Sequence, residues 1–442
     1  MTSLWWARRD LRLHDNPALL EAQRTADAAA VFAWTPALHW WSGRRSAHLA
    51  RSLWSLREDT GGALAVRRGE AAQVVLAAAR QVDARVVFAA QEFSPAGVAE
   101  QGAVAAALEA DGRHVEFVGS PYAVAPGRVL KSDGTPYRVF TPFLESWRAH
   151  GWRAPAIPAS PDRLARLAPA DNDVDLDLHA AHCDATDPVY PQVEFREARL
   201  LEAAEDFVAH DVERYAAERD RPDLDATSHL SRELAFGQIH PRTLLGMLSP
   251  LRNEGARVFQ SQLAWREFHA DTLWHAPQAQ RHSLTVVLDE DDWAHGAAAD
   301  AAFAAWREGR TGFTLVDAGM RQLAQTGWMH NRVRMVVASF LVKDLRVPWQ
   351  RGAEHFRRTL LDYDHAQNQL NWQWVAGTGR DASPFFRIFN PRTQLERFDP
   401  HLRYVQRWIP ELDTPAYPAP MIDHREARET TLHLYHQAKA RR

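Results

Sequence analysis

Five stretches of this sequence carry side chains whose types and spacing suit chemistry on a bound ligand. The first is Asp225-Ala-Thr-Ser-His-Leu-Ser-Arg-Glu-Leu-Ala-Phe-Gly237, where Thr227, Ser228 and Ser231 precede a run of helical character. Hydroxyls and free backbone N–H groups at the start of a helix can hold a phosphate, although an ordinary N-cap uses the same residues. The second is Ser261-Gln-Leu-Ala-Trp-Arg-Glu-Phe268. On a helix, Gln262, Trp265, Arg266 and His269 share one face. An amide, a large ring and a guanidinium together suit a flat aromatic ligand; a buried polar face with an internal salt bridge is the alternative. In the third, Trp328-Met-His-Asn-Arg-Val-Arg-Met335, basic side chains, an amide and a soft apolar side chain lie within two turns. That set suits a phosphate or a base, or else a solvated basic face.

The fourth stretch is Asp362-Tyr-Asp-His-Ala-Gln-Asn-Gln-Leu-Asn-Trp-Gln-Trp374. Two carboxylates stand two residues apart and can hold sugar or ribityl hydroxyls. Asn368 offers a single amide, able to both donate and accept a hydrogen bond. Metal binding by Asp362, Asp364 and His365 is disfavoured, because no second ligand cluster converges on them. The fifth, Pro384-Phe-Phe-Arg-Ile-Phe-Asn-Pro391, reads as core with one embedded arginine.

These stretches need a scaffold, and the pattern of the chain supplies one. Over the first third, short apolar runs at Leu4–Ala7, Ala30–Trp34, Ala63–Val66, Arg85–Ala90 and His114–Val118 alternate with helical stretches such as Pro17–Arg24, Ser46–Arg57 and Ala71–Gln81. That alternation predicts an open, Rossmann-like parallel sheet of five strands with helices on both faces. No G-x-G-x-x-G follows the first strand, so NAD binding there is not supported. Between about 124 and 195, prolines from Pro126 to Pro191 break regular structure and acidic residues gather at Asp171–Asp177, which reads as an interdomain connector. From Glu194 onward the apolar spacing is helical, at Phe195–Tyr215, Pro241–Leu248, Ala256–Trp274, Leu315–Thr326, Asn331–Leu345 and Ala353–Leu361. The division predicted is an α/β domain over 1–124, a connector over 125–195, and an all-α domain over 196–442.

Composition sets limits. The 442 residues are 46% hydrophobic and 24% charged, ordinary for a globular protein. No stretch of about 18 uncharged apolar residues offers a membrane span, and the N-terminus lacks a signal-peptide pattern. The single cysteine, Cys183, excludes an internal disulfide and any four-cysteine zinc or iron–sulfur site. The cytoplasm is the expected compartment. With a net charge of −4, a nucleic-acid partner needs a local basic face.

Taken together and in order, these motifs closely resemble one family, the photolyase/cryptochrome flavoproteins. The resemblance runs through Trp6-Ala-Arg-Arg-Asp-Leu-Arg-Leu-His-Asp-Asn-Pro17, Thr141-Pro-Phe143, Trp265-Arg-Glu-Phe268, Thr311-Gly312, Val316-Asp-Ala-Gly-Met320, Gly327-Trp-Met-His-Asn-Arg332 and Trp372-Gln-Trp374. It covers nearly the whole chain and is strongest to the bacterial class I cyclobutane pyrimidine dimer photolyases. It implies FAD within the helical domain, with Tyr215, Thr227, Ser228, Leu230 and Ser231 at the phosphates and Arg266 near the cofactor. Asn331 and Arg334 would flank the isoalloxazine, Arg334 pairing with Asp362; Asp362 and Asp364 would contact flavin and ribose, and Asn368 would face N5. The implied chemistry is light-driven: excited FADH⁻ gives an electron to a thymine dimer in UV-damaged DNA, the ring splits, and the electron returns. The cofactor carries that chemistry, with no metal. The dimer is flipped out of the stack, onto walls that the resemblance assigns to Trp265 and Trp374, beside Met335 and Gln262. Arg332 and Arg387 are the implied phosphate contacts, making affinity fall with salt. Trp372 and Trp349 match the inner tryptophans of the family's electron-transfer chain.

Departures from the family pattern bear on function. The position of the chain's third tryptophan is Gly296, with Trp293 offset by three. Gln262 stands where cyclobutane photolyases usually carry Glu, and it cannot supply a proton or a charge. His229 replaces a usual Arg near the phosphates. Phe93-Ser-Pro95 fits an antenna-site loop, for an 8-hydroxy-5-deazaflavin or methenyltetrahydrofolate, but Glu100-Gln101 replaces the Arg-Asp pair often found after it. The rival readings are a cryptochrome light sensor, which Gln262 favours, a (6-4) photolyase, and an adenylate-binding transferase using the α/β domain alone. A monomer is expected.

Overall fold

The structure is a computed structural model, and it describes residues 2–24, 26–40, 43–176, 194–382 and 384–441. Cys183, Pro188, Pro191 and Asp177 lie outside the described residues. The chain forms two compact units, interleaved in sequence. One holds 1–136, 144–213 and 228–274; the other holds 137–143, 214–227 and 275–442. Compactness therefore groups the first helices after Glu194 with the sheet rather than with the later helices, a grouping different from the three sequence segments.

In the first unit, β1 (Ser3–Ala7), β2 (Ala28–Trp34), β3 (Leu64–Arg68), β4 (Val86–Ala89) and β5 (His114–Phe117) form a parallel sheet ordered 3-2-1-4-5. Strand alternation divides the side chains between two cores. Trp5, Ala7, Ala30, Phe32 and Trp34 point to one side, where Leu49, Leu53 and Leu56 of the helix Gly43–Asp59 meet them. Leu4, Trp6, Ala29, Val31 and Ala33 point to the other, against Val74, Val75 and Ala78 of Ala71–Gln81 and Val104 and Leu108 of Pro95–Ala110. Both faces are covered, so the strands read as near-continuous apolar runs.

Two features of the connector were not legible in the sequence. A two-residue strand, β6 (Leu164–Ala165), pairs with Ala28 and Ala29 of β2, filling the edge that β3 leaves open because β3 pairs only from Ala30 onward. A helix also forms over Phe140–His150; Pro142 is tolerated there because it sits in the first turn, where its missing N–H has no partner to lose.

Among the described residues no strand lies beyond Ala165. In the second unit the helices Gly296–Arg307, Thr314–Thr326, Asn331–Ser339, Trp349–Thr359 and His365–Ala376 surround a core that includes Trp306, Val337, Leu341, Trp349 and Trp372. Two glycines permit the closeness. A Cβ on Gly319 would lie 2.4 Å from Val333 Cγ1, and one on Gly352 would lie 2.2 Å from Trp372 Cη2. The expected helix Asn331–Leu345 relaxes into a π-turn over Phe340–Asp344. The run Pro384–Pro391 is core only in part, since Phe385 is buried but Phe386 is 58% exposed.

Candidate functional site

Several motifs turn out to be architectural knots. Asp317 accepts from Thr311 Oγ1 at 2.6 Å, from the backbone N–H of Thr311 at 2.8 Å and Gly312 at 2.9 Å, and from the Tyr417 hydroxyl at 2.7 Å. The motifs Thr311-Gly312 and Val316-Asp317 are thus one buried junction. Near the N-terminus, Asp10 accepts from the Trp5 indole at 3.1 Å and the Arg8 N–H at 2.7 Å, while Asp15 pairs with Arg242 at 2.7 Å. Burial pushes the His240 imidazole, 3.2 Å from Asp15, down to about 3, so it stays neutral there.

Arg266 and Glu267 are architectural too. The Arg266 guanidinium is buried over the Tyr122 ring and donates to the carbonyls of Pro121 at 2.8 Å and Leu234 at 3.1 Å. Arg266, which the resemblance sets near the cofactor, clamps the backbone of its own unit. The Glu267 carboxylate accepts the N–H groups of Ala123 and, at 3.0 Å, Val124, together with the Trp147 indole N–H. Burial nonetheless pushes its carboxyl up to about 7. Sequence reading passed over Glu267, because residue type does not reveal which donors surround it.

The fourth stretch behaves differently. Asp364 caps the helix His365–Ala376, its Oδ1 accepting the Gln367 N–H at 3.1 Å. One turn on, the Asn368 amide nitrogen donates to the Ala353 carbonyl at 3.0 Å and to Gln369 Oε1 at 2.8 Å. Those bonds fix the amide, and they leave Asn368 Oδ1 buried without a partner. Asp362 Oδ2 pairs with Arg334 at 2.7 Å, and Arg334 is steadied by the Met329 carbonyl at 2.7 Å. Asp362 Oδ1 is likewise buried and unpartnered. A buried acceptor without a donor costs about 1–3 kcal/mol. Two such acceptors in one segment can take a ligand's N–H or O–H groups.

The remaining candidates lie as follows. Asn331 is exposed at the start of the helix Asn331–Ser339, whose cap is the His330 ring. Met335, on the same helix, is half-buried. Arg332 does not present a free guanidinium: it pairs with Asp220 at 2.6 Å over the Phe398 ring. Trp374 is half-buried, and Arg387 is exposed. Tyr215 is buried and Thr227 half-buried in the second unit. In the first unit, Ser228 Oγ accepts the Leu230 N–H at 3.4 Å, Leu230 occupies the cap position of the helix Ser231–Phe236, and Ser231 is exposed. Gln262 is half-buried with one long contact, 3.5 Å to the Val258 carbonyl. Trp265 is half-buried, its ring 5.4 Å from that of His269.

Trp349 and Trp372 belong to the core of the second unit, with Trp293 and Trp374 packed against it. The Trp349 indole donates to Ser283 Oγ at 2.9 Å. Beside Trp372 stand Phe356 at 5.0 Å and Trp306 at 6.2 Å between ring centroids. Helix packing sets Trp306 beside Trp372. In the antenna-type loop, Ser94 caps its helix, while Glu100 and Gln101 bind Arg8 at 2.8 and 3.2 Å. Among the described residues no group of His, Cys, Asp and Glu is arranged to hold a metal, and no helix is long and apolar enough to cross a membrane.

Residues 3–162 match the family described as DNA photolyase, and residues 259–416 match the FAD binding domain of DNA photolyase. The chain is 37% identical to the deoxyribodipyrimidine photo-lyase of Thermus thermophilus, covering 98% of this chain and 97% of that one. Identity to the Agrobacterium fabrum protein of the same name is 35%, over 98% and 97%. Among solved structures, a bacterial class III photolyase from Agrobacterium tumefaciens superposes with a TM-score of 0.87 at 33% identity, covering 100% of this chain and 98% of that one. A Synechocystis cryptochrome gives 0.84 at 26%, covering 98% and 99%.

Proposed function

The chain belongs to the photolyase/cryptochrome family, and on that premise we propose that it is a deoxyribodipyrimidine photolyase, repairing cyclobutane pyrimidine dimers in DNA with light and bound FAD. The observation that carries the cofactor assignment is the pair of unpartnered buried acceptors, Asp362 Oδ1 and Asn368 Oδ1. A flavin ring brings N–H donors, and these oxygens await donors. Asn331, Arg334, Asp362, Asp364 and Asn368 would hold the flavin and its ribityl side; Tyr215, Thr227, Ser228, Leu230 and Ser231 are assigned to the phosphates. When bound and reduced, FAD supplies a single electron under light, which opens the cyclobutane ring and is then recovered, so that the reaction is redox-neutral overall.

The chain's own residues do the rest. Asn368 cannot turn its amide without losing Ala353 and Gln369, so it presents an acceptor, which favours a protonated ring nitrogen. Arg334 holds Asp362 in place through their ion pair. Trp265 and Trp374 are the stacking walls for the flipped dimer, each contributing roughly 1–3 kcal/mol, with Met335 and Gln262 at its edge. Arg387, exposed, meets a DNA phosphate; Arg332 does so only if its Asp220 pair opens. Trp372, Trp349 and Trp293 are the proposed route for reducing the flavin from the surface. An antenna chromophore, a cytoplasmic location and a monomeric state complete the proposal.

Gln262 favours a second reading, a cryptochrome-type sensor or a (6-4) photolyase. A repair assay separates them. Reduced protein is mixed with an oligonucleotide carrying one thymine dimer and illuminated with near-UV to blue light. Light-dependent recovery of thymine absorbance is expected; flavin bound without recovery would sink the cyclobutane reading.

A further inference from the structure

Lys343 is fully buried, at 1% exposure, on the π-turn Phe340–Asp344, and the mechanism above makes no use of it. Its Nζ donates to the backbone carbonyl of Arg387 at 2.9 Å and lies 5.5 Å from the centre of the Phe385 ring. Burial pushes the ammonium down to about 7, opposed by the neighbouring Asp344 carboxylate. Asp344 is itself tied to His424 at the start of the C-terminal helix His424–Arg441, and Thr431 of that helix donates to the Lys343 carbonyl at 2.7 Å. Desolvating a cation costs several kcal/mol, and an apolar residue of similar size is often neutral or better for stability at such sites. Packing alone does not call for a lysine here.

The loop above Lys343 is pinned at both ends. Phe385 is buried and stacks on Tyr435 at 5.1 Å. Asn390 caps the helix Pro391–Phe398, accepting the Arg392 N–H at 2.9 Å. Between these anchors Phe386 and Arg387 face outward, and the lysine ammonium reaches the Arg387 peptide from beneath. We propose that Lys343 is a positioning residue for DNA binding: its hydrogen bond to the Arg387 carbonyl fixes the backbone from which the Arg387 side chain reaches a DNA phosphate. The proposal rests on the photolyase reading of Arg387, and it assigns Lys343 no part in holding the fold or the flavin.

The test is a salt-dependence comparison on the flavin-loaded protein, using a duplex with a single thymine dimer in the dark. Log affinity is plotted against log salt for the wild type, Arg387→Gln, Lys343→Met and the double variant. Arg387→Gln should flatten the slope by roughly 0.9, the loss of one phosphate contact. Lys343→Met should flatten it similarly and weaken binding roughly fivefold, the scale of one lost hydrogen bond. The double variant should match Arg387→Gln alone, and repair per absorbed photon at saturating DNA should be unchanged in Lys343→Met. Lys343→Arg, which keeps the donor, should restore the slope. A flattened slope in Arg387→Gln with a wild-type slope in Lys343→Met overturns the proposal, as does additivity in the double variant. Failure of Lys343→Met to fold or to keep its flavin overturns it too, since that would make the residue structural. No change in Arg387→Gln would instead overturn the reading of Arg387.

Discussion

The Glu267 clamp of the first unit and the Asp362–Asn368 segment of the second both bury side-chain oxygens, and they satisfy them in opposite ways. Three N–H donors from the chain itself surround the Glu267 carboxylate. Asp362 and Asn368 each spend part of their capacity on neighbours and keep one oxygen without a donor. A buried oxygen served by its own backbone holds the fold together. One left open after its side chain has been fixed in place is ready for a ligand. The motifs around both look equally functional in sequence; the supply of donors separates them.

The strongest test of that contrast is Asp362→Ala. It leaves the partly buried Arg334 without its counter-ion, a change on the order of 3–5 kcal/mol. Purified protein should lose flavin absorbance, and its melting temperature should fall. Retention of a full flavin complement would break the contrast.

Glu267→Gln comes next. An amide cannot accept from all three donors, so a loss of about 1–3 kcal/mol is expected, with flavin content unchanged. The pH dependence sharpens it. Glu267 and Glu197 are both pushed up to about 7 by burial, from an ordinary 4.5. Between those values the folded form holds a proton that the unfolded form has released, so stability is full below about 4.5 and declines as pH rises through about 7. Melting curves across pH 5 to 8 should show a shallower decline in Glu267→Gln than in the wild type. An identical slope would remove Glu267 as a cause.

The smallest effect is expected of Asn368→Leu. It deletes one acceptor and two modest hydrogen bonds, worth about 1 kcal/mol each. Flavin should remain bound, while the reduced form reoxidises faster in air. An unchanged reoxidation rate would place Asn368 with the architectural polar groups instead.

Much of this was legible in the sequence, for identifiable reasons. The five strands follow from short apolar runs separated by helical spacing, and parallel pairing follows because helices cover both faces. Asp364 could be read as a binding carboxylate, and the family resemblance implied the pairing of Arg334 with Asp362. What depended on tertiary contacts was hidden. The carbonyls of Pro121 and Leu234 that hold Arg266 come from other parts of the sequence. Arg332 looks free until Asp220 arrives from a segment over a hundred residues earlier. Nothing in the residues around Lys343 reveals that it is buried against the loop at Arg387.

The sequence by itself determined the element types, the fold class and the order of the motifs, because periodicity and residue type are local properties. Which polar groups would be satisfied by the chain and which left open was decided only by the tertiary structure. Hydrogen-bond partners come from residues distant in sequence, and a donor's absence can be known only when every neighbour is in place.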